Sequence, residues 1–163
     1  MSRYSFKSAS PEDSIVHGAC GPGSETDEWI AYMRSEGIER VCCLQKERCE
    51  LKTIYETEFG KDSVKYAPIE DYRLCALSGL KDEILPFLQE SYVNSRRVVV
   101  HCAGGRGRTG HVLAAWLVFH AGMTPEEALS TAEQMGRNPR EAVCCGNATE
   151  AELLDLLLQC KDP

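Results

Sequence analysis

The chain has 163 residues and 18.1 kDa, with 43% apolar and 26% charged residues, a globular balance that excludes disorder and allows a core without staples. No apolar run approaches the roughly 20 residues of a membrane span, and the opening MSRYSFKSASPEDS lacks the apolar core of a signal peptide. The net charge of −7 argues against nucleic acid or anionic membrane as a partner.

No repeat, low-complexity tract or linker divides the chain, so residues 1–163 read as one domain. Residues 14–17 predict a short strand leading into a glycine-rich turn, GACGPG. Thr26 is placed to cap a helix to residue 35, with Trp29, Ile30 and Met33 on its inner face and Gly37 as its stop. A strand over 38–44, a helix over 50–59 and a strand over 64–69 follow, then the loop EDYRLCALSG. Residues 80–92 carry apolar side chains at helical spacing, with a kink expected at Pro86.

The run at 97–101, RVVVH, is compact and β-branched, as a central strand buried on both faces requires. After the loop AGGRG comes an apolar helix, TGHVLAAWLVFHAG, stopped by Gly122. Thr124, Pro125 and Glu127 supply N-cap, N1 proline and capping-box carboxylate for a helix to about 135; Thr149 and Glu152 repeat the box for the last helix. Strands alternating with helices predict an α/β fold, a mostly parallel sheet of about four to five strands flanked by helices. Trp29, Trp116, His111 and His120 read as packed or surface side chains.

From 91 to 125 there is no Asp or Glu, yet Arg96, Arg97, Arg106 and Arg108 fall there: an anion-free segment in an acidic chain. At its centre a strand runs through His101 into Cys102-Ala103-Gly104-Gly105-Arg106-Gly107-Arg108, then directly into the helix at Thr109-Gly110. Glycines let successive backbone N–H groups turn inward as an anion nest, and the helix N-terminus adds free N–H groups of its own. Arg108, six positions after Cys102, can hold two oxygens of a bound oxyanion in its planar fork. A thiol among such dipoles and cations is favoured as thiolate, the form that attacks. Of the nine cysteines only Cys102 stands in a Gly-rich loop with an Arg at this spacing.

This HCxxGxxRTG spacing resembles the phosphate loop of the cysteine-dependent protein tyrosine and dual-specificity phosphatases. The resemblance covers roughly 38–145 and implies a phosphatase-like three-layer domain that hydrolyses phosphomonoesters through a phosphocysteine. It makes Cys102 the nucleophile, Arg108 the phosphate clamp and residues 103–108 the phosphate cradle. His101 would order the loop and favour the thiolate, and the Thr109 hydroxyl would help it leave. The family's general acid lies some 30 residues upstream on a loop after a strand; Asp71 is 31 positions before Cys102, with Glu70 as the other candidate. Arg137 and Asn138 fall where related phosphatases carry a second active-site loop, bracing the phosphate loop or positioning water. GACGPG matches no motif of the family and reads as a structural turn.

The expected substrate is a phosphorylated protein or small soluble phosphoester, with no cofactor and no metal. The alternatives are a phosphoinositide, inositol-phosphate or RNA 5′-phosphatase, or a phosphate-binding pseudophosphatase module that performs no chemistry. Arg106, inside the loop but off the clamp position, would point to the pocket mouth and tune the substrate. An odd cysteine count with adjacent pairs (Cys42-Cys43, Cys144-Cys145) fits a reducing cytoplasm better than a disulfide scaffold. Cys20, Cys43 and Cys75 are each candidates to trap an oxidised Cys102 as a disulfide. A monomer is the expected state.

Overall fold

The computed structural model describes residues 3–162. Five strands form the sheet: β1 (Lys7–Ser8), β2 (Val16–Cys20), β3 (Arg40–Gln45), β4 (Val64–Ile69) and β5 (Val98–Cys102). Their spatial order is β1-β2-β5-β3-β4; β1 is antiparallel to β2, and the other pairs are parallel. The mostly parallel α/β architecture expected from the alternation of patterns is therefore present.

β5 lies at the centre and is buried along its whole length, as its unbroken β-branched run predicts. Val98, Val100 and Cys102 face one layer, with side chains from α4 (Leu85–Val93), α5 (Gly107–Ala121), α6 (Pro125–Gln134) and α8 (Glu150–Leu158). Val99 faces the other, against Trp29, Ile30 and Met33 of α1 (Thr26–Ser35) and Leu51 and Tyr55 of α2 (Leu51–Phe59). Each fully buried valine contributes about 1.5–3 kcal/mol of transfer free energy, so the central strand is anchored from both sides.

Several local expectations are corrected. The second strand runs to Cys20 rather than ending at residue 17, so Gly18 belongs to the strand and not to a turn. A Cβ on Gly18 would stand 2.7 Å from the Leu113 side chain of α5; the glycine allows the strand and helix to approach. Thr26 is the first helical residue, and Glu25 occupies the cap without a side-chain bond. The helix expected at 80–92 starts earlier, as one turn at Leu77–Gly79 (α3), widens into a π turn at Leu80–Ile84 and resumes as α4. Pro86, which lacks an N–H and crowds the carbonyl four residues back, sits where the regular helix restarts. Both capping boxes form as predicted, at Thr124/Glu127 and Thr149/Glu152. A short helix, α7 (Glu141–Cys144), was not apparent from periodicity.

Because β2, β3, β4 and β5 are parallel, their C-terminal ends open on one edge of the sheet. Ligands of open α/β sheets bind at that edge. Four separated segments meet there: those following Cys20, Gln45, Ile69 and Cys102.

Candidate active site

The chain leaves β5 at Cys102 and enters α5 at Gly107, and the intervening turn is shaped by what lies beneath it. Gly105 has φ 72°, and a Cβ there would come within 2.6 Å of the backbone of Cys20. That left-handed conformation and close approach both require glycine. The Gly21 N–H donates to the Ala103 carbonyl at 2.9 Å, and a Cβ on Gly21 would meet the Cys102 carbonyl at 2.6 Å. Residues 19–21 of GACGPG, expected as a plain turn, thus lie against the loop, and Gly23, at φ 58°, makes the turn.

From the other side Arg137, buried, donates through Nη1 to the Gly105 carbonyl at 2.7 Å and through Nη2 to the Ser5 carbonyl at 2.9 Å. Asn138 reaches the loop through its backbone N–H, which donates to the Arg106 carbonyl at 3.2 Å. The Arg106 side chain is exposed. Its Nη1 donates to the Gly136 carbonyl at 3.1 Å, and with Lys7 and Arg137 it lines a hollow of about 320 Å³.

Cys102 is buried at the bottom of the loop, and the Thr109 hydroxyl donates to its Sγ at 3.1 Å. His101 points to the opposite face of the sheet. Its Nδ1–H donates to the Cys102 carbonyl at 3.0 Å, and its Nε2 accepts from the Tyr55 hydroxyl at 2.9 Å. Burial, reinforced by the nearby Arg108 and Arg48 cations, pushes His101 down to about 4. The ring is therefore neutral at physiological pH. It fixes the Cys102 peptide by a hydrogen bond and brings no cation to the thiol.

Arg108 is 2% exposed and is held by a residue that sequence reasoning missed. Its Nη1 and Nη2 donate to Glu47 Oε1 and Oε2 at 2.7 and 2.9 Å, and Nη1 also donates to the Ile69 carbonyl at 3.0 Å. The Arg108 hydrogen bond, against the opposing effect of burial, holds the Glu47 carboxyl down to about 2. Burial, the largest single effect, pulls Arg108 down, but the Glu47 bond and the nearby Cys102, Asp71 and Glu47 charges together outweigh it and raise the guanidinium. A guanidinium has five N–H donors. With three engaged, the Nε hydrogen and one on Nη2 remain, a parallel pair suited to two oxygens of a phosphate.

Asp71 Oδ1 lies 3.4 Å from Arg108 Nε, at that free edge, and accepts from the Tyr72 N–H at 3.0 Å. Glu70 instead lines a cavity of about 490 Å³ together with Arg73, Cys75 and Glu83. The structure thus brings Asp71, not Glu70, beside Arg108. Among the described residues no group of three or more His, Cys, Asp or Glu side chains is arranged to hold a metal ion. The site offers a thiol, an oxyanion cradle, a half-free guanidinium and a carboxylate, a set able to displace and transfer a phosphoryl group.

The chain is similar to known proteins over part of its length, and it spans less than half the length of the curated relatives it matches. A family model described as "Polymorphic toxin system, DSP-PTPase phosphatase" matches residues 18–122. An uncharacterized protein of Methanocaldococcus jannaschii is 44% identical over 62 residues, 38% of this chain and 42% of its own length. The matched segment spans 38% of a second such protein from that organism, at 40% identity. Protein tyrosine phosphatase domain-containing protein 1 of Mus musculus is 29% identical over 116 residues, 69% of this chain but 12% of its own. Two solved structures share the fold. Tk-PTP in its active form has a TM-score of 0.71 at 23% identity, covering 97% of this chain and 99% of that one. PTPMT1 in complex with PI(5)P has a TM-score of 0.68 at 17% identity, covering 95% and 93%.

Proposed function

Because the chain belongs to the DSP-PTPase phosphatase family, we propose that it hydrolyses phosphomonoesters through a phosphocysteine at Cys102. The observation that carries the reading is the Arg108 guanidinium, three donors committed to Glu47 and Ile69 and one parallel pair left for phosphate in the loop that cradles Cys102. In the first step the Cys102 thiolate attacks phosphorus while Asp71, protonated, gives its proton to the departing ester oxygen. Arg108 and the backbone N–H groups of residues 103–108 hold the equatorial oxygens as charge develops on them. In the second step Asp71, now a carboxylate, takes a proton from water, whose oxygen displaces Cys102 and releases inorganic phosphate. The Thr109 hydroxyl, 3.1 Å from Sγ, stabilises the leaving thiolate. His101 orders the loop; Arg137 and Asn138 brace it.

The substrate we infer is a phosphorylated protein or a small soluble phosphoester, acted on by a single domain over 1–163 working as a monomer without cofactor; residues 1, 2 and 163 lie outside the described residues. The net charge of −7 supports a substrate other than nucleic acid or a membrane lipid. The nine free thiols support a reducing, cytoplasmic setting. One observation favours a second reading, a phosphoinositide phosphatase: the hollow beside the loop carries Lys7 and Arg106, cations suited to a second phosphate. No helix among the described residues is long and apolar enough to cross a membrane.

Phosphate release from an aryl phosphate tests the proposal. Release that persists in EDTA and is abolished by thiol alkylation is expected. A requirement for added metal, or no release at all, would contradict it.

A further inference from the structure

The loop that carries Asp71 leaves β4 at Ile69 and enters α3 at Leu77, and its backbone has no ladder to satisfy it. Besides the Asp71–Arg108 ion pair and its own internal bonds, three hydrogen bonds from other segments hold it. Arg108 Nη1 donates to the Ile69 carbonyl at 3.0 Å, Asn147 Nδ2 donates to the Tyr72 carbonyl at 2.9 Å, and the Cys75 N–H donates to His111 Nε2 at 2.9 Å. Arg108 and His111 are three residues apart on α5, hence on one face of the helix. The helix that opens from the phosphate loop therefore grips both ends of the acid loop.

His111 is 1% exposed and is built for this contact. Its Nδ1–H donates to the Gly107 carbonyl at 3.0 Å, in the first turn of α5, which sets the ring and leaves the Nε2 lone pair facing Cys75. A neutral imidazole supplies one donor and one acceptor, and both are used. Burial, reinforced by nearby Arg108, pushes the group down to about 4, so this tautomer is held across the neutral range. The Cys75 N–H is itself buried, and a buried backbone donor without a partner is costly. Removing the acceptor would shift the loop rather than leave that donor orphaned.

We propose that His111 is a positioning residue that ties the acid loop to the phosphate loop and so sets the placement of Asp71 over Arg108. The proposal rests on the phosphatase reading and concerns only its proton-transfer step. His111 is no part of the phosphate loop; it acts through the three residues between Asp71 and Cys75.

Two isosteric replacements separate the halves of the bridge. In His111→Asn the side-chain amide nitrogen stands where Nδ1 stood and keeps the Gly107 bond without reaching Cys75. In His111→Gln the amide oxygen stands near the Nε2 position and accepts from Cys75. The readout is the ratio of kcat on an activated aryl phosphate to kcat on an alkyl phosphate, whose leaving oxygen needs a proton. His111→Asn is expected to raise that ratio about tenfold, the size a lost buried hydrogen bond supports, with KM unchanged. The Cys75 amide should exchange its hydrogen faster by a similar factor. His111→Gln should keep both near the parent values.

In an Asp71→Asn background His111→Asn should leave the ratio unchanged, since groups acting through one residue are not additive. An equal loss on both substrates, or an additive effect in that background, would overturn the proposal. Should His111→Asn not melt cooperatively, His111→Met, which keeps bulk without the acceptor, takes its place with the same expectation. Turnover that survives Cys102→Ser would overturn the phosphatase reading as a whole. Cys102-dependent turnover with an unaltered ratio would overturn the role of His111 alone.

Discussion

Arg108 and Glu47 form a two-bond pair, Nη1 to Oε1 at 2.7 Å and Nη2 to Oε2 at 2.9 Å, across 61 positions of sequence. The pair fixes the direction of the guanidinium and leaves one edge, with Asp71 beside its Nε, turned to the site. Arg108 would otherwise have to be ordered by the substrate itself, at the expense of binding energy.

Glu47→Gln is therefore expected to weaken catalysis without abolishing it. A hydrogen bond between charged groups is worth about 1.5–3 kcal/mol, and the half-exposed Glu47 side chain reduces that. A loss in kcat/KM of about 5- to 30-fold follows from the discounted figure. Steady-state kinetics on an aryl phosphate checks it, and an unaltered kcat/KM would show that Arg108 needs no such partner.

Asp71→Asn is expected to cost about 10²- to 10⁴-fold on alkyl phosphates and far less on activated aryl phosphates. Glu70→Gln should leave both nearly untouched, because Glu70 lines the cavity behind the loop and Asp71 lies 3.4 Å from Arg108 Nε. A leaving-group series measured on both variants decides between the carboxylates; the reverse pattern would make Glu70 the acid.

Stability should fall as the solution is acidified from neutrality. His101 and His111 titrate at 6.5 in the unfolded chain and at about 4 when folded, so between those values the unfolded state binds more protons. Each contributes a slope of up to about 1.4 kcal/mol per pH unit in that window, stability rising with pH. Glu47, with its folded value near 2 against 4.5, acts in the same direction at still lower pH. Urea midpoints at pH 5 and pH 7 measure the effect, and His111→Gln should flatten it. Equal midpoints in the parent would contradict the neutral, buried state of both rings.

Peroxide should produce one disulfide in preference to others. Cys20 and Cys102 are register partners on adjacent parallel strands, and partners on neighbouring strands lie within disulfide range. Cys43 pairs with His101 and packs on the opposite face, while Cys75 sits at the end of the acid loop. Peroxide converts the Cys102 thiolate to a sulfenic acid, releasing hydroxide; the Cys20 sulfur then attacks that sulfur, and water leaves. Burial pushes the Cys20 thiol up, which suits it to resolving rather than to being oxidised first. Peptide mass spectrometry after mild peroxide should find the Cys20–Cys102 link. A Cys102 sulfinic acid without it would contradict the expectation.

What sequence made legible followed from local pattern. The β-branched run ending at Cys102, the capping boxes and the HCxxGxxRTG loop are each complete within a few residues, so spacing alone exposes them. Asp71 was accessible only through resemblance, since nothing in EDY distinguishes it from a solvated turn. Glu47 was hidden in a mixed-charge stretch, KER, because its partner lies on another element. His111 reads as a packed or surface side chain, and the polar bonds that it and Tyr55 make are visible only when the sheet is folded. The glycines of GACGPG divide by use: Gly18 and Gly21 allow close approach to α5 and to the phosphate loop, and Gly23, at φ 58°, makes the turn that was expected. The bond that Arg106 makes was hidden in the same way, the carbonyl of Gly136 being 30 residues away.

Cys102→Ser is the variant on which the account turns, because a serine hydroxyl at the same place retains the fold and the cradle and lacks an ionised nucleophile. Its rate of phosphate release from an aryl phosphate is the most direct measurement, taken alongside phosphate binding to show that the loop is intact. The account predicts unimpaired binding and no release above the uncatalysed rate. Substantial release by that variant would contradict the phosphocysteine mechanism.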